Sequence, residues 1–133
     1  MMLPALVPEL SVSDIGRSLA FYRNVLGFSL SYERPQEGFA LVQLGAAALM
    51  LDQIGTGRDW VTGPLEPPYG RGINIQIQVD QLEPLLTRLE TYQVSLFQPV
   101  ETKTYQAGSA QITQRQFCVQ DPDGYLLRFC QDL

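Results

Sequence analysis

A chain of 133 residues, 45% hydrophobic and 17% charged, has the length and composition of one globular domain with a proper core, and not of a disordered segment. Fourteen acidic and nine basic side chains give a net charge of −5 and a pI near 4.5. That balance speaks against nucleic acid as a partner, since phosphate binding needs a basic face. Histidine is absent, which removes the commonest general base and the commonest transition-metal ligand together.

The opening run from Met1 has no basic start and is interrupted by Pro4, Pro8 and Glu9, so it does not read as a signal peptide. No apolar stretch approaches a membrane span in length, and no membrane partner is expected. Cys118 and Cys130 are too few for a disulfide framework. The short turn between their strands does not set them opposite one another, so a reduced pair in a cytoplasmic protein is expected.

Residues 5–12 read as a first strand, with Leu6, Leu10 and Val12 toward the core and Val7, Glu9 and Ser11 on the other side. Asp14 suits a helix cap, and Ile15, Leu19, Tyr22 and Leu26 recur at the spacing of one helix face, with Gly27 ending the helix. Three strands follow over residues 28–33, 39–44 and 47–52, separated by turn-like segments at 34–38 and 44–46. Residues 53–71, with their prolines and glycines, form a loop long enough to be a linker or a lid. That loop carries Trp60 and Tyr69; either can simply cover the core, or can stack on a flat ligand.

Residues 72–80 (GINIQIQVD) alternate sharply. Ile73, Ile75, Ile77 and Val79 share one face of a strand, and Asn74, Gln76 and Gln78 the other. Asp80 and Glu83 give a D-x-x-E capping signal, with Leu82, Leu85, Leu86 and Leu89 as the apolar face of a second helix. Residues 94–97 read as a strand, residues around 103–108 as a polar loop, and 112–120 and 125–131 as a hairpin about the turn Asp121-Pro122-Asp123-Gly124. The order strand, helix, three strands thus occurs twice, offset by 66 or 67 residues. It predicts an α+β fold of two tandem βαβββ modules in a single domain 1–133: module one over about 1–55, a connecting loop over 53–71 and module two over 72–133. The two sheets would curl around a cleft, with helices on the outer face.

Three passages carry a resemblance to a known superfamily: VSDIGRSLAFYRNVLGF at 12–28, GINIQIQVDQL at 72–82 and RQFCVQDPDGYLLRF at 115–129. They resemble the opening helix, central strand and closing hairpin of the vicinal oxygen chelate superfamily. This superfamily includes glyoxalase I, extradiol dioxygenases and the fosfomycin and bleomycin resistance proteins. Metal enzymes of that superfamily place four ligands on the cleft side of four strands. The corresponding positions here are Val7, Met50, Asn74 and Arg128, with Met50 subject to a slip of one residue. Valine cannot ligate, methionine suits soft metals only, and arginine carries a fixed positive charge, so no metal and no cofactor are expected.

Glu9 and Asp52 lie near the same face and could offer two oxygens to a hard cation, although exposure at strand ends is the ordinary fate of such carboxylates. No catalytic residues emerge: without histidine the usual activation of a hydroxyl is unavailable, and neither cysteine has an activating neighbour. The expected cleft surface comprises Val7, Glu9, Met50, Asn74, Gln76 and Arg128. Gln116 and Gln120 join it in one register of their strand, or Arg115 in the other, and Trp60, Tyr69 and Tyr105 lie on neighbouring loops. The resemblance is closest to the bleomycin resistance proteins, which lack the metal and sequester the drug between two subunits. It implies a homodimer that binds a small organic ligand, with antibiotic resistance as the corresponding role. The alternatives are a metal-dependent lyase or dioxygenase with displaced ligands and a non-catalytic regulatory or partner-binding module. A buried Arg128 would need a carboxylate or phosphate partner, either Glu9 within the protein or an acidic ligand.

Overall fold

A computed structural model describes residues 3–57 and 59–133. Among the described residues, eight strands and two α-helices follow one another as β1 (Glu9–Val12), α1 (Ile15–Leu19), β2 (Ser29–Arg34), β3 (Phe39–Leu44), β4 (Ala47–Gln53), β5 (Asn74–Gln78), α2 (Glu83–Thr91), β6 (Gln98–Ala107), β7 (Ala110–Gln120) and β8 (Leu126–Asp132). The strands form two mixed four-stranded sheets, ordered β1-β4-β3-β2 and β5-β8-β7-β6. Each module closes with a parallel pairing of its first and last strands, β1 with β4 and β5 with β8. The two tandem βαβββ modules expected from the alternating pattern are present.

The modules are related in register as well as in order. Glu9 pairs with Met50 as Gln76 pairs with Arg128. The main-chain N–H of Ile15, at the start of the first helix, donates to Gln53 Oε1 at 2.9 Å. That of Leu82, at the start of the second, donates to Gln131 Oε1 at 3.1 Å. Each module therefore caps its helix with a glutamine from its last strand; the capped residues are offset by 67 positions and the glutamines by 78, the second module being longer between them. The second cap corrects the expected Asp80–Glu83 box: helix α2 begins after Leu82 with no side-chain cap of its own, and Gln131 supplies the acceptor. Gln131→Ala is expected to lower stability by about 1 kcal/mol, measured from the midpoint of urea unfolding, as loss of a capping acceptor does.

Asp14 caps the first helix as expected, its carboxylate accepting from the Arg17 N–H at 3.0 Å. Beyond Leu19 the helix widens into a π-helical segment, Ala20–Val25. The Leu26 N–H bonds to Phe21 O, five residues back. The extra residue per turn turns both Phe21 and Tyr22 inward, where α-helical spacing picks out Tyr22 alone. Gly27 has φ of +85°, a backbone conformation that favours glycine.

Helices and strands meet in one core cluster. It holds Leu10, Val12, Val42, Leu49 and Leu51 from the first sheet, Ile77, Phe117, Val119, Leu127 and Phe129 from the second, and Phe21, Tyr22, Leu26, Leu82, Leu85 and Leu89 from the helical segments. Two strand assignments need correction. The first strand begins at Glu9, because Pro8 cannot donate to a ladder, and Leu6 lies outside it, 82% exposed. Residues 94–97 are not a strand, whereas β6 runs through the stretch expected to be loop, pairing Lys103 with Gln114 and Tyr105 with Ile112. Gly108, at φ of +63°, and Ser109 make the two-residue turn of this hairpin.

The turn Asp121–Gly124 fastens the second module to the first. Asp123 accepts from Ser13 N (3.1 Å), Ser13 Oγ (2.5 Å) and Arg17 Nη2 (3.2 Å). Asp121 accepts from Tyr22 Oη at 2.8 Å and from the N–H groups of Asp123 and Tyr125, each at 2.9 Å. Tyr125 Oη donates to Ser11 O at 2.8 Å. Among the described residues, no helix is long and apolar enough to cross a membrane.

Candidate functional site

Strand alternation divides each sheet into a face under the helices and a helix-free face. In the second sheet the core takes Ile77, Leu127, Phe129, Phe117 and Val119. The pairings Gln76–Arg128, Cys118–Arg128, Gln116–Cys130 and Glu101–Gln116 then put these polar residues together on the helix-free side, beside Asn74 and Gln78. Gln114 and Gln120 share it. This side is a surface of amides around one guanidinium.

A chain of hydrogen bonds runs across it. Arg128 Nε donates to Asn74 Oδ1 at 3.0 Å, and Arg128 Nη1 to Gln116 Oε1 at 3.4 Å. Gln116 Nε2 in turn donates to Glu101 Oε1 at 3.0 Å and to Tyr105 Oη at 2.5 Å. Glu101 Oε2 receives Gln98 Nε2 at 3.3 Å. The amide of Gln116 is thereby turned so that its oxygen faces Arg128 and its nitrogen faces Glu101. Asn74, Gln76, Tyr105 and Arg128, four of the residues singled out from the sequence, are on this surface. Glu101 was not among them: it falls between the residues read as a strand, 94–97, and those read as a polar loop, around 103–108, and only the β6–β7 register gives it a place.

The same register removes Arg115. It lies one residue from Gln116 and points to the helix side, where Arg115 Nη1 donates to Glu83 Oε1 at 2.7 Å. That bond holds the Glu83 carboxyl below its usual range. Gln116 and Gln120 occupy the helix-free face instead.

On the first sheet, the equivalent face holds Glu9 and Met50, which are register partners, and Asp52, beside Phe39 and Leu41. Phe39 and Leu41 are buried, and the Arg34 guanidinium lies 3.9 Å from the Phe39 ring centroid. Met50 is thus on the helix-free face, in register with Glu9. Val7 is half-buried and precedes β1. Across the sheet junction, Trp60 and Glu9 help line a cavity of about 480 Å³ together with Ser11, Ile73, Ile75 and Tyr125. Trp60 is 77% exposed, whereas Tyr69 packs edge-on against Tyr125 at 6.0 Å between ring centres.

Cys118 and Cys130 are both free, and their register partners are Arg128 and Gln116. Burial pushes both thiols up, against the smaller opposing influence of Arg128, which is the reverse of an activated nucleophile. Among the described residues, no three His, Cys, Asp or Glu side chains are grouped so as to hold a metal ion.

Comparison with known proteins gives a consistent picture. Residues 5–129 match the family model described as Glyoxalase/Bleomycin resistance protein/Dioxygenase superfamily. A glyoxalase/bleomycin resistance protein/dioxygenase superfamily member from Vibrio splendidus 12B01 is 42% identical, over 94% of this chain and 95% of that one, with a TM-score of 0.44. TioX from Micromonospora sp. ML1 is 21% identical over 96% and 98% of the two chains, with a TM-score of 0.72. The virulence protein STM3117 from Salmonella typhimurium is 20% identical over the whole of both, with a TM-score of 0.70. The last two share the fold. No curated protein sequence matches the chain.

Proposed function

Since this chain belongs to the Glyoxalase/Bleomycin resistance protein/Dioxygenase superfamily, we propose that it is a metal-independent member that binds a small organic molecule. The binding surface is the helix-free face of the second module. One observation carries this reading: at the positions where metal-dependent relatives keep their ligands, Arg128 stands hydrogen-bonded to Asn74. A guanidinium bears a fixed charge, so it repels a divalent cation and occupies the asparagine oxygen that could have ligated one. Met50, the equivalent of Arg128 in the first module, is a thioether suited to soft metals, and Val7, the equivalent of Asn74, has no donor in its side chain. This donor set does not fit the metal of the related enzymes.

What remains is a face of asparagine and glutamine amides, able to donate and accept toward an organic ligand, with Tyr105 at one edge. This face is open in one chain. A second copy, related by a two-fold axis, would cover it, and a homodimer is part of the proposal. Exposed Leu6, Trp60, Phe97 and Ile112 supply apolar area for such a contact.

The test is metal analysis of purified protein after incubation with zinc, manganese and nickel, alongside light scattering at micromolar concentration. Far less than one metal per chain and a dimer mass are the expected results. Stoichiometric metal that is lost together with a lyase or dioxygenase activity would overturn the reading.

A further inference from the structure

The bound molecule can be narrowed to a chemical class from the surroundings of Arg128, an argument that rests on the binding role proposed above. Arginines 17, 34 and 115 each meet a carboxylate: Asp123, Glu37 and Glu83. Arg128 is half-buried and has no carboxylate partner among the described residues. Its acceptors are the neutral amide oxygens of Asn74 and Gln116. The chain has acidic residues in excess, fourteen to nine, yet the carboxylate of Glu101 on this face reaches Arg128 only through the amide of Gln116. Glu9, the in-chain candidate raised by the sequence, pairs in register with Met50 on the other sheet and forms no ion pair with Arg128.

The two bonds that Arg128 does make have a geometrical effect. Asn74 holds Nε from the β5 side and Gln116 holds Nη1 from the β7 side, while Glu101 and Tyr105 hold Gln116. The guanidinium is thus fixed in orientation with no direct carboxylate contact among the described residues. Of its five N–H donors three are left over, in a planar fork that suits the two oxygens of one carboxylate. A fork held in this way loses less side-chain entropy on binding than a free one. Cys118, opposite Arg128, and Cys130 beside it contribute only neutral thiols to the floor.

We infer that Arg128, held by Asn74 and Gln116, is the anchor for an organic carboxylate, whose apolar or amide-bearing remainder lies on the glutamine face. This reverses the preference suggested by net charge, which favours cations.

Three probes of similar shape test it: 2-naphthoate, 2-naphthamide and 2-naphthylmethylamine. Each is titrated into full-length protein, with the side-chain N–H signals of Arg128, Asn74 and Gln76 followed by ¹H–¹⁵N NMR. The expected result is at least tenfold tighter binding of the naphthoate than of the other two, with a shift of the Arg128 Nε–H signal. Arg128→Gln should bring naphthoate down to the level of naphthamide with an unchanged fold, and Arg128→Lys should recover part of the difference, since it keeps the charge and loses the fork. Equal binding of all three probes, or tightest binding of the amine, with Asn74 and Gln76 shifting and Arg128 Nε–H unmoved, would overturn the carboxylate assignment and leave the binding role standing. No shift at any of the three residues with any probe would count against the binding face itself, and the assignment would fall with it.

Discussion

Asp123→Ala is expected to cost about 3 kcal/mol of stability, because it removes the acceptor of three hydrogen bonds at the joint between modules, one of them from a charged donor. The carboxylate is almost fully buried and takes both the main-chain N–H and the hydroxyl of Ser13. Without it, a part-buried N–H at the entry to the first helix is left without that acceptor, and such a group costs more than the bond was worth. The Arg17 contact adds little, since that side chain is 57% exposed and its charge is screened. Asp123→Asn, which keeps one oxygen toward Ser13, should therefore lose less than half as much. Urea unfolding of the three proteins side by side checks this; equal losses for alanine and asparagine would place the stabilisation in the ion pair instead.

Tyr22→Phe is expected to destabilise by about 1–3 kcal/mol at neutral pH, the range for a buried polar group deprived of its partner. Its consequence depends on pH. Burial pushes the Asp121 carboxyl above its ordinary value, and the Tyr22 hydroxyl works in the opposite direction by donating to the ionised form. The folded-state pKa of Asp121 thus exceeds the unfolded one, so the folded protein holds its proton longer. Stability from this group is full below the unfolded pKa and is lost as pH rises through the folded value. Removing the hydroxyl raises the folded pKa further and extends that window upward. The gap between Tyr22→Phe and the natural protein should therefore be larger at pH 7 than at pH 4, because the hydroxyl stabilises only the ionised carboxylate. Unfolding free energies at the two pH values decide it; a gap that shrinks toward neutral pH would contradict the assigned role of the hydroxyl.

Both carboxylates belong to a turn that is legible in the sequence, yet nothing in Asp-Pro-Asp-Gly says what its acids will hold. The turn itself follows from proline fixing φ and glycine accepting a positive one; Gly124 has φ of +102°. Its partners Ser13, Arg17 and Tyr22 lie about a hundred positions away in the chain. Local pattern carries no information over that distance. The helix caps show the same division. Asp14 acts within its own segment and was expected; Gln53 and Gln131 act across the module and were not.

For the binding face, the strand from Asn74 to Gln78 was readable because alternation of isoleucine with amides leaves one register only. The neighbouring strand was not: residues 112–120 contain polar side chains at both parities, so Arg115 and Gln116 were equally eligible. Pairing with β8, whose Phe129 and Leu127 must face the core, selects Gln116 for the surface and gives Arg115 to Glu83.

By itself the sequence determined the duplicated βαβββ order, the alternation of the strand from Asn74 to Gln78, the apolar face of the second helix, and the absence of histidine. These follow from periodicity and from residue chemistry, which act locally. Tertiary structure alone decided that Glu101 and Tyr105 support Gln116, that Gln116 and Asn74 hold Arg128, and that no carboxylate among the described residues contacts it directly. Those relations depend on which strands lie side by side and in which register. The long-range core contacts set that choice, and no single segment encodes it.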